Sequence, residues 1–203
     1  EGSAYDLNIN MFNVLQHTIT GWPGGKPNTD DSHRPERASP AQKRVILFSP
    51  HPDDDVISMG GTFSKLIKQG HDVHVVYQTS GNIAVTDDEA LKFAEVGNDF
   101  VGNGASNIDF KSVIEFLNNK SENQIDSLEV RKLKGLIRRR ESYAATRYIG
   151  LKDENTHFLD LPFYETGQVK KNPLGLEDIA IVKDIIAKIK PHQVFAAGDL
   201  ADP

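Results

Sequence analysis

The stretch Lys43-Arg44-Val45-Ile46-Leu47-Phe48-Ser49-Pro50-His51-Pro52-Asp53-Asp54-Asp55 decides how this chain is read. Val45 to Phe48 is a short apolar run with no polar alternation, the pattern of a strand covered on both faces. Pro50 and Pro52 then stiffen a turn that presents His51 and three successive carboxylates. Adjacent carboxylates repel one another and cost solvation when buried, unless something cationic sits among them. An ordinary helix start needs one Asp to answer its dipole, not three behind a Pro-His-Pro. Imidazole plus carboxylate is a donor set suited to zinc and tolerated by other divalent ions.

Working outward, Ile57, Phe63, Leu66 and Ile67 predict one face of a helix that ends near Gly70. Val73 to Tyr77 is a second apolar strand, closed by Thr79-Ser80-Gly81. Residues 87–101 read as a helix with Leu91, Ala94 and Val96 on its apolar side. Residues 102–126 read as a polar connection with one apolar patch, Val113 to Leu117. Ser127 to Ile149 is a long helix, His157 to Leu161 a third strand, Leu176 to Lys190 a helix stopped by Pro191, and Val194 to Ala197 a fourth strand. Strands alternating with helices predict an α/β, Rossmann-like fold with a mostly parallel sheet and helices on both faces. Ligands of such sheets gather outside the carboxyl ends of the strands, which singles out loops 49–56, 79–85 and 198–203. Gly60-Gly61 is expected to permit close packing of helix on sheet. Residues 1–42 read as a separate arm: a short helix near 6–18, then seven Gly and Pro residues within twenty positions.

With 203 residues, 43–203 accounts for one domain. The absence of Cys excludes a disulfide framework and a thiolate nucleophile, so a metal would rest on His, Asp or Glu. A net charge of −6 argues against a broad nucleic-acid surface. No apolar run is long enough to span a bilayer, and no signal-like leader is visible, which makes a cytoplasmic location the default expectation. The chain does not begin with Met, leaving its natural start open. Nothing in the sequence sets an oligomeric state.

Pro50 to Asp55, followed by Met59-Gly60-Gly61-Thr62, resembles the first motif of the PIG-L/LmbE-like deacetylases. Thr79-Ser80-Gly81 is similar to that family's second strand end, and Arg138 to Glu141 to its Arg-x-x-Glu helix. The resemblance implies a zinc-dependent hydrolase that removes the N-acetyl group from a small amino-sugar substrate of N-acetylglucosamine type. By position, it implies His51 and Asp54 as metal ligands and Asp53 as the general base. Asp55 stands where the family usually has Glu. A third ligand from a His-x-x-His motif after the last strand is expected. Here that place reads Gly198-Asp199-Leu200-Ala201-Asp202-Pro203, without histidine. The 203 residues are therefore expected to be part of a longer chain that, as written, binds metal weakly. Domains of this kind also occur behind glucosamine-6-phosphate deaminase-like domains. That context and a non-catalytic sugar-binding module are the alternative readings.

Other residues carry blander expectations. His71, His74 and His192 fall at the wrong end of the sheet to replace a missing ligand, and His17, His33 and His157 are no better placed. The long helix carries seven basic residues against two acidic ones, read as a solvated basic face. Glu141 falls on the stripe traced by Leu133, Ile137, Ala144, Ala145 and Tyr148, and is expected to form a buried structural pair with Arg138, with a substrate-facing role as the alternative. Phe158, Phe163 and Tyr164 are read first as core, then as stacking surface for a sugar.

Overall fold

The structure, a computed structural model, describes residues 3–8, 42–101 and 109–196. Four strands, β1 (Arg44–Ser49), β2 (Asp72–Tyr77), β3 (Thr156–Phe158) and β4 (Gln193–Phe195), form one sheet in the order β3-β2-β1-β4. Every pairing is parallel, with Ser49 opposite Tyr77 at the carboxyl ends of the two central strands. The predicted α/β class with a parallel sheet is what the chain adopts. Among the described residues, five α-helices of ten or more residues accompany it: α1 (Asp54–Lys68), α2 (Asp87–Val101), α3 (Phe110–Asn119), α4 (Leu128–Tyr148) and α5 (Leu176–Ile189).

The continuous apolar run of β1 is explained by burial on both sides. Val45 and Leu47 pack with Phe63 and Leu66 of α1, together with Val73, Val75, Tyr77 and Leu151. Ile46 and Phe48 pack with Val76 and with Ile185 and Ile189 of α5 on the other face. A third cluster joins Ala90 and Ala94 of α2, Val113 of α3, and Val130, Leu133 and Ile137 of α4. Gly70 closes α1 at a φ of 77°, as its place in the sequence predicts.

Several expectations need correction. The patch Val113 to Leu117 belongs to α3, capped by Asp109, whose carboxylate accepts from the backbone N–H of Lys111 and Ser112. Ile57 and Val96 are exposed, because α1 bends at Met59 and α2 buries only its alanine side. Gly60 and Gly61 meet no sheet atom; a side chain at Gly61 would find nothing within 4 Å. β3 is shorter than predicted, ending before Asp160, whose φ is 47°. Glu141 is exposed and Tyr148 is 92% exposed, so the stripe drawn through them is not the buried face. Past Ile137 that face runs through Ser142 and Thr146, whose hydroxyls donate to the carbonyls of Arg138 and Tyr143. The histidines at the amino ends of the strands have structural partners: His71 Nδ1 and His192 Nδ1 accept from the backbone N–H of Lys43 and Arg44. His17, His33, the arm beyond residue 8 and the last loop, including Asp199 and Asp202, lie outside the described residues.

Candidate active site at the end of β1

The sheet order reverses direction at β1, and the crevice at such a switch is where open α/β sheets place ligands. Loops 49–56 and 79–85 meet there. The Thr79 backbone N–H donates to the Pro50 carbonyl at 3.1 Å, and its hydroxyl donates to the same oxygen at 2.8 Å. Gly81 is required at this contact: its φ is 64°, and a Cβ would lie 2.7 Å from the Pro52 ring. A cleft of about 310 Å³ opens above the junction, lined by His51, Asp53, Gly81, Ile83, Ala84, Arg138 and Tyr164.

The three carboxylates of the turn have three different environments. Asp53 is half-exposed on the cleft wall, and Arg138 reaches it from α4, donating to Oδ2 at 2.7 Å and to the Pro52 carbonyl at 2.7 Å. The other arm of the guanidinium donates to Glu141 at 2.8 Å. Burial opposes the charge of Arg138, but Asp53 and Glu141 outweigh it and hold its pKa above the ordinary value. The expected pair of Arg138 and Glu141 is present. It is not buried on the glutamate side, and its main anchor is Asp53, 85 residues away, which helical spacing gives no means to find.

Asp54 turns back on His51. Its Oδ2 accepts from the His51 backbone N–H at 2.8 Å and lies 3.3 Å from His51 Nδ1. Both side chains are a little under one-third exposed, at 29% and 28%. Asp55 points inward and is 2% exposed. Tyr77 donates to its Oδ2 at 2.9 Å, and the Ser49 hydroxyl sits 3.3 Å from Oδ1 while accepting from the Asp55 N–H at 3.0 Å. Burial pushes the Asp55 carboxyl up from the usual aspartate value, and these hydrogen bonds pull it partly back. The hydroxyls of Ser49 and Tyr77 are partners the sequence reading missed; their only signal is the shared strand-end register.

Residues 160–172 supply the remaining wall. Tyr164 packs edge-on to His51 at 5.6 Å between ring centroids, and Lys171 Nζ lies 3.6 Å above the Tyr164 ring. The Glu165 carboxylate accepts from the Ser80 N–H at 3.2 Å and from Asn82 Nδ2 at 3.0 Å, tying this segment to the 79–85 loop. Of the aromatic trio, Phe158 belongs to the core, stacked on Tyr77 at 5.0 Å, while Tyr164 faces the cleft.

His51 Nδ1 and Asp54 Oδ2 converge on one region and have the donor chemistry a zinc ion takes, so they fit two places of a metal site. Among the described residues, no group of three His, Cys, Asp or Glu side chains is arranged to hold a metal ion. No helix among them is long and apolar enough to cross a membrane.

Comparison with known proteins gives the family of the chain. The chain is 54% identical over 208 residues to a glucosamine-6-phosphate deaminase-like protein of Bacteroides thetaiotaomicron, covering all of this chain and 31% of that protein. It is 45% identical over 47 residues to a diacetylchitobiose deacetylase of Thermococcus kodakarensis, covering 23% of this chain and 18% of the relative. The chain thus spans about a third of the first relative's length and less of the second's. No solved structure matches it significantly. Residues 46–202, which include the whole cleft, match the family described as PIG-L: GlcNAc-PI de-N-acetylase, and the chain belongs to that family.

Proposed function

We propose that the cleft is a metal-dependent N-deacetylase site for a small N-acetylglucosamine-type compound. His51 and Asp54 hold a divalent cation, zinc being the best fit to their donors. Such a cation, when bound, supplies Lewis-acid polarisation of the amide carbonyl and makes the attacking water more acidic. Asp53 takes the proton from that water as general base. Arg138 keeps the Asp53 carboxylate facing the cleft and spends its second arm on Glu141. Asp55 supports the turn from below. The observation that carries the reading is that His51, Asp53 and Arg138 line one cleft at the carboxyl end of β1, with Asp54 directly behind His51.

Acetate release from N-acetylglucosamine, its 6-phosphate and short N-acetylglucosamine oligomers, with zinc supplied, tests the proposal. The phosphorylated sugar is included because of the name of the 54%-identical relative. Release from at least one compound is expected, and loss of that release in Asp53→Asn identifies the base. A second reading, a sugar-binding module without turnover, is favoured by the two-donor convergence of His51 and Asp54. Sugar binding without acetate release, by a chain that retains no zinc, would select it.

A further inference from the structure

Tyr77 sits at the end of β2, fully buried, and nothing in the proposed chemistry uses it. Its ring is fixed by a parallel stack on Phe158, with 18° between planes, so the hydroxyl has little freedom in where it points. That hydroxyl donates to Asp55 Oδ2 at 2.9 Å. Asp55 lies in the first turn of α1, directly after Asp54, so fixing its carboxylate fixes the rotation of that turn and the direction Asp54 takes. Ser49, paired with Tyr77 in the sheet register, accepts from the Asp55 N–H and donates to the His51 carbonyl at 2.6 Å. One relay, Tyr77–Asp55–Ser49, thus reaches the His51 carbonyl and the peptide N–H that directly follows Asp54.

We infer that Tyr77 is a positioning residue that pre-sets His51 and Asp54 for metal from beneath the sheet's edge. The inference rests on the metal reading of the cleft. Outer partners that orient metal-binding side chains typically change affinity 10- to 100-fold when removed.

The test is zinc affinity of the full chain, measured by competition with a chromogenic chelator, for the unaltered protein and for Tyr77→Phe. The variant keeps the ring and its stack and loses only the hydroxyl. A 10- to 100-fold weaker affinity in a chain that still unfolds cooperatively is expected. Equal affinity in Tyr77→Phe and the unaltered chain overturns the inference while leaving the metal reading intact. If Tyr77→Phe does not fold, Ser49→Ala cuts the same relay, and unchanged affinity there overturns the inference equally. Absence of zinc binding by the unaltered chain overturns the metal reading, and the positioning role with it.

Discussion

Asp87 and Asp126 face two lysines in a closed square, whereas of Asp53, Asp54, Asp55 and Glu141 only Asp53 and Glu141 meet a guanidinium, that of Arg138. In the square, Lys120 Nζ lies 2.8 Å from Asp87 and 2.6 Å from Asp126, and Lys134 Nζ lies 2.6 Å and 2.7 Å from the same pair. Each charge meets two of opposite sign, and the cluster ties α2, the end of α3 and the start of α4 together. At the cleft, Arg138 answers Asp53 and Glu141, while Asp54 leans on His51 and Asp55 on two hydroxyls. The square is compensated around the buried Lys134 ammonium; the turn holds an excess of carboxylate at a solvent-facing mouth. Charge is closed where it fastens helices and left in excess at the cleft, where we propose that a cation is received.

That contrast can be broken from either side. Asp53→Asn should lower acetate release by about 10²–10⁴-fold, the usual contribution of a general base. Its unfolding free energy in urea should fall by no more than ~1 kcal/mol, because the ion pair it loses is half-exposed. Lys134→Met should do the reverse. Removing this buried ammonium leaves Asp87 and Asp126 to Lys120 alone and costs about 3 kcal/mol, the low end for a broken buried pair because Lys120 and, at Asp87, solvent still reach the carboxylates. Zinc affinity should be unchanged, as measured by the same competition titration.

These two regions were unequally legible in the sequence. The sheet could be read because β1 and β2 are buried on both faces, so their apolar runs have no alternation to misread. The turn could be read because three carboxylates behind Pro-His-Pro have no ordinary structural use. The square could not, since Lys120 and Asp87 are 33 residues apart and each looks like a surface residue alone. α3 was hidden by its polar, glycine-rich approach, although Asp109 ahead of Phe110 and Val113 was a local cap signal. Glu141 was misplaced because the buried face of α4 continues through Ser142 and Thr146, which hydropathy does not mark. The link from Arg138 to Asp53 depends on tertiary packing, and no periodicity encodes it.

A smaller effect sharpens the comparison with a histidine pair. His74 Nδ1 and His157 Nε2 lie 3.0 Å apart across β2 and β3. Burial first, then the charges of His74 and Lys188, push His157 down to about 4. Because the unfolded chain takes a proton near pH 6.5, the folded state is stabilised above that pH and loses the advantage as pH falls toward 4. Discounted for a half-exposed ring, the loss is about 1–2 kcal/mol, read as the difference in urea stability between pH 7 and pH 4, and His157→Asn should flatten it. Smallest of all, Glu165→Gln weakens the tie between Tyr164's segment and the 79–85 loop. It should raise KM by a few-fold with kcat nearly constant, because the cleft wall loosens while the reacting groups stay in place.

The central claim is that the turn after β1 grips a divalent ion, and equilibrium dialysis of the full chain against zinc tests it most directly. Weak uptake that saturates at one ion per chain, lost in the His51→Ala, Asp54→Ala double variant and kept in Lys134→Met, is the expected result. Zinc retained by the double variant, or none retained by the unaltered chain, contradicts it.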